Sequence, residues 1–281
     1  LDRTKTVTQF RDTVQAYYRD YGVGTFCTAP AFRIEEISGR PELQPVQKLS
    51  PVRFPDLWGY ELQKKKLRDN TEAFLRGTKA NNVLLYGDAG TGKSTCMKAL
   101  LNEYFSKGLR MVEINKYQFR HLQTLAQMLR ERNYFFVFYL DDLSFEETEL
   151  EYKYLKAVIE GGIEPSPDNI LIYATSNRRH LVKETWKDRA DMEEDIHHSD
   201  TVQEKLSLSE RFGIAINFSV PQQQEYFDIV CHLAKRQRLS LPEDGLINGA
   251  RAWGMHHGSF SGRTAQQYIN HLKGEQTHAE N

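Results

Sequence analysis

The stretch "NVLLYGDAGTGKS", residues 82–94, joins a short apolar run to a glycine-rich polar loop. Its second half, Gly87 to Ser94, fits the pattern G-x-x-x-x-G-K-[ST]. The spacing has a mechanical reason. Glycines let the backbone curl so that successive N–H groups point inward at phosphate oxygens. A helix that begins near Lys93 adds its positive N-terminal end. Lys93 is then placed for the β- and γ-phosphates of a nucleotide, and the Ser94 hydroxyl for Mg²⁺. Gly87, Asp88, Ala89, Gly90, Thr91, Gly92, Lys93, Ser94 and Thr95 are the candidate binding residues of this loop. A chance match would not also fall between an apolar strand and a helix, as the chemistry requires.

Outward from the loop, strands and helices alternate. "RMVEI" (110–114), "YFFVFYL" (134–140), "NILIYATS" (169–176) and "IAINFSV" (214–220) read as strands. Their near-continuous apolar runs suit parallel strands buried on both faces. Helical patterns cover 93–107, 117–131 and 146–159. The spacing predicts an α/β fold: a parallel sheet flanked by helices. From Pro221 the pattern is wholly helical, over 222–238, about 243–253 and 261–273, as a small second domain. Before the loop, 59–76 is helical, and 3–21 carries apolar residues at helical spacing. Between them, Pro30, Pro41, Pro45, Pro51 and Pro55 predict an extended, irregular strap over the core. The expected divisions are 1–55, 56–220 and 221–281.

The strand "FFVFYL" ends in Asp141 and Asp142. In a phosphate-loop protein, an Asp at this place supplies the second contact to Mg²⁺. That assigns Asp141, with the ion offsetting the cost of a carboxylate at the end of a core strand. Capping the next helix is the other use of such a pair. Asp142 is the candidate base for the attacking water; Glu146, four residues on, is the alternative. Asn177 and Thr175, at the tip of the next strand, are placed for the γ-phosphate or the water, Asn177 first. Arg211, before the last strand, and Arg263, at the start of the last helix, suit charge stabilisation.

Together these residues resemble the AAA+ ATPase family. "GDAGTGKS" looks like its Walker A, "FFVFYLDD" its Walker B and "LIYATSN" its sensor 1. "LSERF" (208–212) is similar to its arginine-finger box and "SGR" (261–263) to its sensor 2. "DLWGYELQKKKL" (56–67) resembles the segment that encloses adenine. The whole run resembles an uncharacterised bacterial AAA+ family of unknown cellular role. The resemblance covers residues 56–274 and implies a P-loop NTPase with a helical lid, ATP and Mg²⁺ as cofactors, and hydrolysis to ADP and phosphate. It implies that Asn177 senses the γ-phosphate and Arg263 reads it from the lid. Arg211 would act in trans, in a homo-oligomer for which six subunits is the family's usual number. Asn115 matches a position that restrains the catalytic acid in some members. The departure is Asp142, where the family usually has Glu. Asp is about 1.5 Å shorter, one carbon–carbon bond, which bears on turnover rather than on binding.

Composition sets the outer limits. Across 281 residues the formal net charge is −1, so nothing favours non-specific attraction to nucleic acid or an anionic membrane. No apolar run approaches the roughly 18 residues of a spanning helix. Cys27, Cys96 and Cys231 read as reduced thiols of a cytoplasmic protein. The chain opens on Leu1, as a trimmed fragment would. Residues 183–205, with "DMEEDIHH" inside, read as a solvated insertion, not a metal site. Lys64, Lys65, Lys66 and Arg68 read as a solvated helix face, with a nucleic-acid patch as the alternative. Arg178, Arg179 and His180 suit a subunit interface. Three functions follow: an ATP-hydrolysing remodeller of an unknown protein substrate, an ATP-gated switch with little turnover, or a DNA-associated loader. A small-molecule kinase leaves the sensor residues and Arg211 unexplained.

Overall fold

The computed structural model describes residues 6–21, 24–145, 149, 151–161, 165–179, 181, 208–239 and 241–279. Helix α1 (Val7–Tyr21) is followed by strands β1 (Ala31–Ile37) and β2 (Arg40–Pro45), then helix α2 (Glu61–Leu75). Next come β3 (Val83–Gly87), α3 (Lys93–Tyr104), β4 (Leu109–Glu113), α4 (Leu122–Leu129) and β5 (Phe135–Leu140). The remaining elements are α5 (Glu151–Glu160), β6 (Ile170–Ser176), β7 (Ile214–Phe218), α6 (Gln223–Arg236), α7 (Glu243–His256) and α8 (Gly262–Ala279).

The seven strands form one sheet in the order β2-β1-β4-β5-β6-β3-β7. Every pairing is parallel except β1 with β2. The chain leaves β3 for β4, three places away, and β5 and β6 then fill the gap. This order puts the ends of β5 and β6 beside the end of β3, at the kind of switch point where α/β sheets bind ligands.

Strand alternation divides the core. Phe136, Phe138 and Leu140 face one layer with Leu122, Leu125 and Leu155. Val137 and Tyr139 face the other, with Leu67 of α2 and Met97 and Leu100 of α3. Asp141, two residues beyond Tyr139, continues this second face, which is the α3 side. The C-terminal helices α6, α7 and α8 close a third core of their own around Tyr226, Val230, Ala250, Ala265 and Ile269.

One expectation fails. Residues 31–45 are not an irregular strap but a hairpin that extends the sheet beyond β4. Pro41 and Pro45 sit on β2, the edge strand, where a missing N–H disturbs only one ladder. The irregular path holds for 46–53. Val7 and Phe10 of α1 also stay largely in solvent, 87% and 48% exposed. Among the described residues, no helix is long and apolar enough to cross a membrane.

Candidate nucleotide-binding site

A cavity of about 710 Å³ opens where β3, β5 and β6 end. Pockets for small ligands span about 300–1,000 Å³. The loop after β3 curls as its glycines allow. Gly87, Gly90 and Gly92 all have positive φ. A Cβ on Gly87 would lie 2.2 Å from the Phe218 carbonyl, so only glycine lets β3 pass β7 here. Asp88 anchors the loop to β7: its N–H donates to Phe218 O (3.0 Å) and its carboxylate accepts from Val220 N–H (2.8 Å). Thr91 Oγ1 donates to Asp88 O (2.8 Å). Residues 89–95 line the cavity wall. Lys93 Nζ, at the start of α3, donates to Gly87 O (2.8 Å), Asp88 O (2.7 Å) and Asn177 Oδ1 (3.2 Å). Burial pushes its ammonium below the ordinary lysine range, and Arg263 adds repulsion against the pull of Asp88, Asp142 and Asp141.

Asp141 and Asp142 both line the cavity but have different partners. Asp141 Oδ1 accepts from Ser94 Oγ (2.7 Å), Tyr139 OH (2.6 Å) and Thr175 Oγ1 (2.5 Å). Partial burial pushes this carboxyl up, but the hydroxyls of Thr175, Tyr139 and Ser94 outweigh it and hold the group below the usual carboxylate range. The charge at the end of the core strand is therefore offset by the protein's own donors before any ion is considered. A hydroxyl beside a carboxylate is an all-oxygen donor set that suits a hard divalent cation such as Mg²⁺. Asp142 sits in the left-handed region at φ +51, a turn that Asp tolerates better than most residues. Its N–H donates to Thr175 Oγ1 (2.9 Å), and its Oδ1 accepts from Asn177 Nδ2 (2.8 Å). Asn177 thus bridges Lys93 and Asp142, and Thr175 braces the two aspartates.

Helices α6 and α8 close one side. Arg263 lines the cavity, and its N–H donates to Gly90 O (3.1 Å). At the far end, Asp56, Trp58 and Lys64 of the segment 56–67 line the cavity; sequence reasoning missed their partners on α6, His232 and Arg236. Trp58 stacks on His232 of α6, with ring centroids 5.0 Å apart, and Arg236 pairs with Asp56 at 3.0 Å. Lys64 is buried; its Nζ donates to Leu57 O (2.7 Å) and Glu61 Oε1 (2.6 Å). The Lys-rich segment is therefore not a uniformly solvated face. Lys64 lines the cavity, Lys65 pairs with Asp69, and Arg68 pairs with Glu103.

Other candidates lie elsewhere. Arg211 is outside the cavity and forms an ion pair with Glu160 of α5. Asn115 does not restrain Asp142. Its amide donates to Tyr117 OH (3.4 Å) and its N–H to Gln118 Oε1 (3.0 Å), because it caps the short turn at 116–121. The residue that reaches Asp142 is Asn177. Arg178 and Arg179 are exposed, Arg179 over the Tyr86 ring. Glu146, His180 and residues 183–205 lie outside the described residues. Among the described residues, no cluster of His, Cys, Asp and Glu is built to hold a metal by itself.

Residues 27–276 match the family described as "Protein of unknown function (DUF815)", which takes in well over half of the chain. The chain belongs to the DUF815 family. This DUF815 chain is similar to the replication factor C large subunit of Methanococcus vannielii, 32% identical over 84 residues. It is also similar to that of Staphylothermus marinus, 33% identical over 84 residues. Each match takes in 30% of this chain but only 16% and 19% of those relatives' length. Among solved structures, a point variant of Thermotoga maritima RuvB superposes with a TM-score of 0.57 at 17% identity. That superposition covers 83% of this chain and 68% of RuvB. The DUF815 chain has the AAA+ P-loop fold, a mostly parallel sheet flanked by helices and followed by C-terminal helices.

Proposed function

We propose that this chain binds ATP with Mg²⁺ and hydrolyses it to ADP and phosphate, driving movement of its lid and of neighbouring copies. In this reading residues 56–220 are the nucleotide-binding unit and 221–281 its lid. The observation that carries it is the convergence of Lys93, Ser94, Asp141, Asp142, Asn177 and Arg263 on one cavity.

The backbone of residues 88–93 and the Lys93 ammonium receive the phosphates. Ser94 and Asp141 hold Mg²⁺, which neutralises charge on the phosphate oxygens when bound. Asp142 takes the proton of the attacking water. With Oδ1 committed to Asn177, Oδ2 is the oxygen left for that transfer. Arg263 places positive charge from the lid. Lys93, freed by phosphate from the Gly87 and Asp88 carbonyls, also loosens its contact with Asn177, which ties nucleotide binding to the orientation of Asp142. Arg211 serves a neighbouring copy's nucleotide once it leaves Glu160.

The likeness to the replication factor C large subunit favours a second reading, a DNA-associated ATPase. RuvB itself is described as a Holliday junction branch migration motor. Against this reading, three of the four basic residues of the α2 cluster, Lys64, Lys65 and Arg68, already pair with Glu61, Asp69 and Glu103. Competition with a fluorescent ATP analogue separates the readings. Binding by wild type that is lost in Lys93→Ala, with no duplex DNA bound at about 200 mM salt, supports the first. Wild type that fails to bind the analogue contradicts both.

A further inference from the structure

We propose that Tyr139 is a positioning residue for Asp141: with Thr175 it clamps one carboxylate oxygen from the buried side, so that the carboxylate is already oriented for the metal that Ser94 and Asp141 would hold. The inference rests on the ATP and Mg²⁺ reading above and extends it to a residue that the sequence presents only as a core aromatic.

All three hydroxyls that reach Asp141 land on the same atom, Oδ1. Among the described residues nothing donates to Oδ2. The three donors are not equivalent. Ser94 is half-buried at the cavity edge and is the one whose oxygen is needed by Mg²⁺. Its oxygen keeps lone pairs that could ligate the ion while its proton stays on Asp141. Tyr139 and Thr175 are buried, 4% and 2% exposed, and have nowhere to turn. Thr175 Oγ1 accepts from the Asp142 N–H, so its own proton is committed to Asp141. The Tyr139 side chain lies among apolar residues of the α3-side core, and its hydroxyl donates to Asp141 Oδ1 at 2.6 Å. A strand places residues i and i+2 on one face, so the Tyr139 ring and the Asp141 carboxylate rise side by side from β5. Tyr139 and Thr175 therefore fix Oδ1 from the buried side, and the carboxylate keeps one rotamer. Without Tyr139 one of the two buried donors is lost and the plane of the carboxylate is held less firmly.

The test measures nucleotide affinity, not turnover, in EDTA and along a Mg²⁺ titration, using a fluorescent ATP analogue. The variants are Tyr139→Phe, Thr175→Val and Thr175→Ser, each checked for wild-type circular dichroism. Tyr139→Phe keeps the ring and removes only the donor. Expected are an unchanged affinity in EDTA and a Mg²⁺ midpoint raised about tenfold, the worth of one charge-assisted hydrogen bond. Thr175→Val should follow Tyr139→Phe, while Thr175→Ser should restore the wild-type midpoint. A Mg²⁺ midpoint unchanged in Tyr139→Phe overturns the proposal. So does an affinity that falls equally in EDTA and in Mg²⁺, which would make Tyr139 a packing residue. A wild type that binds no analogue under either condition overturns the site reading itself, and this proposal with it.

Discussion

Gly90 and Gly92 sit two residues apart in the phosphate loop, and alanine at each should have different consequences. Both have positive φ, +79° and +96°. Alanine there costs about 1–2 kcal/mol of backbone strain. At Gly92 the new Cβ meets nothing within 4 Å. At Gly90 it lands 2.8 Å from Ser261 Oγ and 3.0 Å from Arg263 Cβ, at the entry to lid helix α8. Ser261 cannot simply turn away. It is buried, and its hydroxyl shares a hydrogen bond with Thr264 Oγ1 (3.0 Å) and accepts from Thr264 N–H (3.3 Å). The lid entry must shift instead, and such overpacking adds about 1–3 kcal/mol. At about 2–4 °C per kcal/mol, Gly92→Ala should lower Tm by a few degrees and Gly90→Ala by roughly twice as much. The assay is thermal unfolding without nucleotide, paired with hydrogen exchange of peptides covering 259–268. Faster exchange is expected only in Gly90→Ala, because the Arg263 N–H donates to Gly90 O. Equal Tm shifts, or unchanged exchange at the lid entry, would refute the direct coupling of loop and lid.

Three further outcomes follow from the site. Asp142→Asn should keep nucleotide affinity and lower phosphate release by about 10²–10⁴-fold; retention of full release would assign the base elsewhere. Asp141 has a depressed folded pKa, so its contribution to stability is present above the unfolded carboxyl value of about 3.9 and is lost as pH falls through the lower folded value. Urea midpoints of wild type and Asp141→Asn should therefore differ near neutrality and converge in acid below about pH 4, and a gap that persists there would contradict the hydroxyl clamp. Arg211→Ala removes a partly exposed pair with Glu160, worth less than about 1 kcal/mol. It should leave monomer stability and nucleotide affinity alone and abolish any rise of activity per subunit with protein concentration.

The central features were legible because chemistry dictates them locally. Apolar runs such as Phe135–Leu140 have no stable place except a strand covered on both faces, and the phosphate loop is written in the glycines that its backbone requires. The β1–β2 hairpin was hidden because it is an edge. "AFRIEEI" is half polar, and two prolines on β2 mimic a linker where a strand's free side tolerates them. Lys64 was misread because its neighbours in sequence are solvated, whereas its own burial depends on the Leu57 carbonyl folding over it. Asn115 and Asn177 are each a single amide at a strand end. Only the register of β5 with β6, Leu140 opposite Ala174, decides which reaches Asp142. The Tyr139 hydroxyl was concealed inside an apolar run, with Asp141 two residues later as its only signal.

The most direct test of the account is Mg²⁺-dependent phosphate release from ATP, measured at increasing protein concentration for wild type and Lys93→Ala. The account predicts release by wild type that vanishes in EDTA and in Lys93→Ala. Equal release by wild type and Lys93→Ala, or none from a wild type that binds ATP with Mg²⁺, would contradict it.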